Sequence, residues 1–327
     1  MLSGNVNTPI QKLHSRINGN TVYMKRDDLI PFSFGGNKVR KALLFFEELE
    51  SQECDCVVTY GTNSSNHCRI IANLAAMKGL RCIVISPTET NKITFNSKMI
   101  ELFSAEITYC RVSEVKETIS KKLNCLTNEG YKPYFIQGGG HGNLGTKAYI
   151  IAYEEIRNYE LENKVHFDYI FHTSGTGTTQ AGLICGQIIY KDKRQIIGIS
   201  NARKNPYGAQ TVLDSANNYL KNIGMESICL KDIHFIDDYV LNGYGSYNNE
   251  VIKTIEEVLI KEGIPLDTTY TGKGFWGMEE YIKKNKIEGE NILFIHTGGT
   301  PLFFDDLGVL SNVWSNKHIN IKLRNKE

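Results

Sequence analysis

From residue 56 onward the chain repeats one unit: a short apolar run, a polar loop, then a segment with apolar side chains at helical spacing. A strand followed by a crossover helix returns the chain parallel to itself. This alternation therefore restricts the fold to an α/β architecture, with open parallel sheets covered by helices on both faces. The spacing predicts strands over 21–28, 56–60, 81–86, 106–110, 133–137, 169–173, 195–200 and 292–296. Helices are expected over 39–50, 67–78, 95–103, 114–128, 146–158, 180–190, 208–222 and 248–261. In the first of these, Ala42, Leu43, Phe46 and Leu49 recur at helical spacing. No repeat, low-complexity run or linker breaks the pattern, so two interleaved α/β domains are expected rather than two in tandem. The polar segment 316–327 is expected to fray.

A chain of 327 residues, 41% of them hydrophobic, has enough apolar surface to enclose a site. Its 37 basic and 36 acidic side chains nearly cancel, which leaves no electrostatic case for a nucleic-acid or membrane partner and makes a small molecule the expected substrate. Met1 to Asn5 lack the basic and apolar regions of a signal peptide, and no stretch approaches the ~20 apolar residues of a membrane span, so a cytoplasmic protein is expected. The eight cysteines are scattered, and Cys54 and Cys56 are too close for ordinary metal or redox spacing. They read as free, mostly buried thiols, with no metal site, and packing is the expected role of Cys68.

Two stretches carry chemistry. In the first, Lys38 follows Gly35, Gly36 and Asn37 and opens a helix beside Arg40 and Lys41. Like-charge neighbours and burial in a cleft are both routes to a lowered amine pKa and hence to a nucleophile; alone, the segment reads more readily as a solvated basic helix start. The second is Ser174-Gly175-Thr176-Gly177-Thr178-Thr179, set between a strand and a helix. Its glycines, hydroxyls and helix-start amides suit a phosphate, and the lack of a following Walker lysine excludes a P-loop. A rival signal is Gly140-His141-Gly142-Asn143-Leu144-Gly145, which matches the G-x-G-x-x-G dinucleotide fingerprint and would make the chain an NAD-binding protein. Its confirming carboxylate at the end of the next strand is missing, since that strand ends in His172-Thr173-Ser174. A helix-start lysine together with a phosphate loop has one strong joint explanation: pyridoxal 5'-phosphate (PLP) bound as a Schiff base through Lys38.

Several ordered motifs are then recognisable. Gly35 to Lys41, Ser65-Asn66-His67-Cys68-Arg69, Thr179 to Gly182, Asp237 to Gly245, Leu266 to Lys273 and Phe294 to Gly299 resemble the D-cysteine desulfhydrase and 1-aminocyclopropane-1-carboxylate deaminase family from end to end. The resemblance implies the tryptophan synthase β-like, type II PLP-dependent fold, a homodimer, a larger PLP-binding domain from 1–45 and 151–327, and a smaller inserted α/β domain from 46–150. It also implies roles for single residues. Lys38 would be the Schiff-base lysine and general acid/base, Asn37 would bond the cofactor ring hydroxyl, the Ser174 to Thr179 loop would hold the phosphate, and Thr297 would face the pyridine nitrogen. Ser65, Asn66 and His67 would bind the substrate carboxylate, with the Ser65 hydroxyl near Cα, and Tyr244 and Tyr270 would be the two active-site tyrosines.

A neutral hydroxyl at Thr297 would weaken the ring as an electron sink and so favour β-elimination over transamination, with the α-proton lost to Lys38 or to an ionised Tyr270. Position 271 separates the branches: the deaminases carry glutamate there and the desulfhydrases threonine, so Thr271 favours a carbon–sulfur lyase converting D-cysteine to pyruvate, hydrogen sulfide and ammonia. Ring opening of the cyclopropane amino acid is the alternative, as is another PLP reaction on a small amino-acid substrate such as L-cysteate. The chain departs from the family at Ser246-Tyr247-Asn248, at Gly138-Gly139-Gly140-His141 and at Gly61-Thr62-Asn63-Ser64, all in loops beside the expected substrate.

Overall fold

A computed structural model describes residues 6–90 and 93–315; the expectations for residues 1–5 and 316–327 lie outside them. The chain opens with β1 (Ile10–Ile17) and β2 (Asn20–Arg26), and a 3-10 turn at Asp27–Leu29 leads into α1 (Asn37–Ser51). Then follow β3 (Cys56–Tyr60), α2 (Asn66–Met77), β4 (Arg81–Pro87), α3 (Phe95–Leu102), β5 (Glu106–Cys110), α4 (Val115–Asn128) and β6 (Pro133–Ile136). The long α5 (Asn143–Asn163) leads to β7 (Tyr169–Ser174), α6 (Thr178–Tyr190), β8 (Gln195–Ser200), α7 (Tyr207–Asn222) and β9 (His234–Ile236). After α8 (Asn249–Glu262) come α9 (Thr271–Lys284), β10 (Asn291–His296) and α10 (Thr300–Ser315).

Two sheets form, with strand orders β1-β2-β10-β7-β8-β9 and β5-β4-β3-β6. The four-stranded sheet is parallel throughout, as expected, but the larger sheet is mixed because β1 and β2 make an antiparallel hairpin. The hydrophobic pattern hides β1, since its buried Ile10, Leu13 and Ile17 are three and four residues apart, and a register shift between Lys12 and Arg16 breaks the period of two. β9 has only three residues. α9 is masked by Gly272, Gly274 and Gly277, low-propensity residues that let the helix lie against Ile255, Thr173 and Ile199. No helix of the described residues is long and apolar enough to cross a membrane. All eight cysteines are free, five of them buried.

Apolar side chains cover both faces of both sheets. Ile184, Phe235 and Leu293 belong to the core on one side of the larger sheet, and Phe171, Ile255 and Phe294 to the core on the other. Phe46, Val57 and Ile71 fill one side of the smaller sheet, and Val58, Ile83 and Leu126 the other. Burial of each large side chain contributes about 1.5–3 kcal/mol. Helices α1 and α5 run across 45/46 and 150/151, where the sequence reading divides the chain. They are tied together by a buried ion network. The Arg40 guanidinium bonds Asp27 at 2.8 and 2.9 Å and Glu155 at 2.6 and 2.9 Å, Lys25 reaches Glu155 at 2.7 Å, and the Tyr149 hydroxyl donates to Asp27 at 2.7 Å.

Burial alone would raise the Asp27 pKa, but Arg40 and Lys25 overcome it and hold the carboxyl down at about 2. A carboxyl depressed on folding contributes stability above its unfolded pKa and loses that contribution as pH falls through the folded one. Asp27→Asn is expected to lower the unfolding free energy at pH 7 by about 3–5 kcal/mol, since it leaves buried cations short of a partner. The deficit relative to wild type should shrink as pH is taken from about 4 toward 2. Urea titrations at several pH values measure both; a loss below about 1 kcal/mol at pH 7 would contradict the network's assigned role.

Candidate active site

A cleft of about 490 Å³ is lined by residues that follow the carboxyl ends of strands from both sheets, the usual ligand position in open α/β folds. The start of α1 forms one wall. At 100° per residue, Asn37, Lys38 and Lys41 share a face of that helix, whereas Val39 and Arg40 point away. Lys38 therefore enters the cleft, where its Nζ donates to the Gly139 carbonyl at 3.0 Å. Burial pushes its pKa down to about 8. Of the two routes to a reactive amine, burial acts on Lys38 and the Arg40 charge does not, because Arg40 is paired in the network behind the helix. The solvated helix start is excluded: Arg40 and Lys41 are both buried.

Glycine pairs hold α1 against the end of β10. Gly36 has φ +104°, and a Cβ there would lie 2.8 Å from the Thr297 carbonyl oxygen; one on Gly298 would lie 2.7 Å from the Gly36 Cα. Only glycine permits this approach. The Asn37 N–H then donates to the Thr297 carbonyl at 3.0 Å, which brings Asn37 and Thr297 onto one side of the cleft.

Gly175, Thr176, Gly177 and Thr179 line the cleft at the start of α6, whose first-turn amides have no partners within the helix. Asn37 Nδ2 donates to Thr179 Oγ1 at 3.2 Å. Ser174 and Thr178, expected in the phosphate loop, are buried with their side chains off the cleft wall: Ser174 Oγ donates to Gln180 Oε1, and Thr178 Oγ1 accepts from Lys41 Nζ at 2.7 Å. Lys41 is the residue that sequence reasoning passed over, although its position three residues after Lys38 puts it on the same helix face. Burial and the Lys38 charge lower its pKa, and it has no ion pair among the described residues. A buried lysine with no carboxylate partner, bonded to Thr178 at a helix N-terminus, fits a phosphate dianion, so the cradle suits the phosphate of PLP.

The dinucleotide reading fails on topology. β6 and β7 lie in different sheets, so α5 closes no βαβ unit. The glycines of the 140–145 turn serve packing instead: a Cβ on Gly145 would lie 1.9 Å from the Gly140 carbonyl oxygen, and Gly140 rests on the Lys41 side chain.

Ser65, Asn66 and His67 line the opposite wall, at the N-terminus of α2. Ser65 Oγ caps the helix by accepting from the His67 and Cys68 amides, so the capping and site roles coincide. Thr59 Oγ1 donates to the Ile136 carbonyl, so it accepts from His67 Nε2 at 2.8 Å. Burial, followed by the Lys38 and Lys41 charges, keeps His67 neutral. Below them, buried Arg69 bonds Asn66 Oδ1, Asn96 Oδ1 and the Ser33 carbonyl, each at 2.8 Å. It joins α2 to α3 and to the loop before Lys38.

The Tyr244 and Tyr270 hydroxyls meet at 2.6 Å, with their rings edge to face, and both residues line the cleft. Burial raises the Tyr270 pKa well above 10, and desolvation raises that of Tyr244, which is 49% exposed. That direction favours Lys38 over an ionised Tyr270 as the base. Asp267 sets the position of Tyr270 by accepting from the amides of Thr269, Tyr270 and Thr271 and from the Thr271 hydroxyl. Thr271 is fully buried in this turn and is not on the cleft wall, which corrects its expected contact with substrate. Lys273 Nζ donates to the carbonyls of Asn201, Val240 and Gly243, bracing the loop that carries Tyr244.

The chain's similarities agree with this arrangement. The family model described as pyridoxal-phosphate dependent enzyme matches residues 1–298. A D-cysteine desulfhydrase of Yersinia enterocolitica is 32% identical over 93% of this chain and 94% of its own. A protein of Pyrococcus abyssi named as a 1-aminocyclopropane-1-carboxylate deaminase is 34% identical over 91% of this chain and 90% of its own. The crystal structure of a homologue of that deaminase superposes with a TM-score of 0.85 at 32% identity, covering 94% of both chains. With Lys38 in the same cleft as a phosphate-fitting helix start and this similarity running nearly end to end, the chain belongs to the pyridoxal-phosphate dependent enzyme family.

Proposed function

We propose that the protein is a carbon–sulfur lyase that converts D-cysteine and water to pyruvate, hydrogen sulfide and ammonia. The observation that carries this reading is the make-up of the cleft: a lysine with its pKa lowered to about 8 and two hydrogen-bonded tyrosines with raised pKa values, with no aspartate or glutamate lining it among the described residues. Threonine at 271, where the deaminase branch has glutamate, and the name of the Yersinia relative support it.

Bound PLP supplies an aldehyde carbon that captures amines and a ring that draws electrons from the bonds at Cα. The chain's own groups do the rest. Helix-start amides of α2 and the Ser65 hydroxyl bind the substrate carboxylate, where the helix dipole favours negative charge. Lys38, its amine made available by burial, takes the α-proton. The Tyr244–Tyr270 pair holds a proton for the departing sulfur at the Tyr270 hydroxyl. Thr297, a neutral hydroxyl, leaves the ring nitrogen without an anionic partner, which disfavours a long-lived carbanion and favours concerted loss of the β-substituent. Asn37 orients the ring and the Gly175 to Thr179 segment anchors the phosphate. The protein acts as a cytoplasmic homodimer in this reading, a state that light scattering measures.

Ring opening of 1-aminocyclopropane-1-carboxylate is the second reading, supported by the name of the Pyrococcus relative. A panel of D-cysteine, L-cysteine, L-cysteate and the cyclopropane amino acid, followed by sulfide, sulfite, pyruvate and 2-oxobutanoate release, separates the two; 2-oxobutanoate as the dominant product would overturn the lyase assignment. Lys38→Ala is expected to abolish the bound-cofactor absorbance, to prevent borohydride from fixing PLP to the chain, and to lower kcat at least ~10³-fold. The rate at which apoenzyme captures PLP should rise with pH to a midpoint near 8. A midpoint near 10.5 would mean that burial does not depress the amine. Tyr270→Phe should lower kcat by about 10²–10⁴-fold with little change in KM; a raised KM with kcat unchanged would assign Tyr270 to binding instead.

A further inference from the structure

The loop after β8 carries a guanidinium to which none of these roles has been given. Arg203 lines the same cleft as Lys38 and Thr176. Its Cζ lies 5.4 Å from the Tyr207 ring centroid, a cation–π contact at the start of α7. Its Nη1 is buried and has no hydrogen-bond partner among the described residues. A buried guanidinium N–H without an acceptor is costly, and in a binding cleft it marks where a ligand oxygen belongs.

The surroundings indicate which oxygen. The Asn201 amide donates to the Ser174 carbonyl at 3.2 Å, and Ser200 Oγ donates to the Arg203 carbonyl at 2.6 Å, so the Arg203 backbone is tied to the residue preceding the phosphate loop. Thr211 of α7 packs against Gly177 of that loop. One turn further on, Ser215 Oγ lies 3.3 Å from Nε2 of His141, which also lines the cleft. Burial first, and then the charges of Lys41, Arg203 and Lys38, lower the His141 pKa to about 4. Lys38, Arg203 and His141 therefore share a cleft wall with the start of α6, Lys41 bonds Thr178 of that helix, and no acidic residue lines the cleft among those described. Such a concentration of positive potential calls for a multiply charged oxyanion.

We propose that Arg203 donates to the phosphate of bound PLP, extending phosphate recognition from the α6 N-terminus to the β8–α7 connection. The proposal rests on the family's cofactor and is independent of which amino acid is eliminated. It makes Arg203 a binding residue that phosphate alone engages.

Equilibrium titration of apoenzyme with PLP and with pyridoxal, which lacks the phosphate, tests it. Wild type must first bind PLP at Lys38; if it does not, the cofactor reading fails rather than the role of Arg203. Arg203→Gln is expected to weaken PLP about 10–100-fold, the range for a hydrogen bond to a charged group, while changing pyridoxal affinity less than about threefold. The ³¹P resonance of the bound cofactor should move in the same variant. Arg203→Lys, which keeps the charge but loses the planar fork, should weaken PLP by a smaller factor and decides the matter if the glutamine variant folds poorly. Equal losses for PLP and pyridoxal would make Arg203 structural and overturn the proposal. Unchanged PLP affinity would also overturn it, and if KM then rose only for L-cysteate, the guanidinium would be assigned to the substrate instead.

Discussion

The phase of one helical turn governs this site. From Asn37 to Lys41 the chain places Asn37, Lys38 and Lys41 on the cleft side and Val39 and Arg40 on the other. Arg40 locks that phase through its bonds to Asp27 and Glu155 behind the helix. A rotation of α1 by one residue would bury Lys38 in the protein interior and turn Arg40 into the cleft. The buried ion network is therefore more than a contribution to stability. Ion pairs in low dielectric have narrow geometric tolerance, so they specify a register more sharply than apolar packing does.

The electrostatics of the cleft follow from what surrounds it. Its wall carries lysine, arginine, two histidines and three tyrosines but, among the described residues, no carboxylate, so dehydration is not offset by local counter-charge. Burial then lowers the pKa of Lys38, His67 and His141 and raises those of Tyr60, Tyr244 and Tyr270. The result is a lysine that loses its proton near pH 8 in the same cleft as two tyrosines with raised pKa values, a division suited to moving one proton off carbon and another onto a leaving group. Two helix N-termini, of α2 and α6, supply fixed positive potential without adding titratable groups.

Much of this was legible in the primary structure. Alternating apolar runs and helical segments indicated the α/β class, and the hydroxyl-rich glycine loop near Thr176 indicated a phosphate site, because both signals are local and rest on backbone geometry. Lys38 was identified only jointly with that loop. The strands and helices that were missed had local patterns at odds with their packing. In β1 a bulge erased the alternation, and in α9 glycines that disfavour a helix were required for its contact with the sheet.

The sequence by itself determined the fold class, the candidate cofactor and most of the residues on the cleft wall, since these depend on short-range periodicity and on motifs read along the chain. Only the tertiary structure decided which side chains reach the cleft. It turned Ser174, Thr178 and Thr271 toward internal partners, showed burial to be what acts on the Lys38 amine, raised the Tyr270 pKa, and brought Arg203 onto the cleft wall and Lys41 against Thr178 at the start of α6. Those outcomes depend on dehydration and on contacts between segments more than a hundred residues apart, and neither quantity can be read from neighbours in the chain.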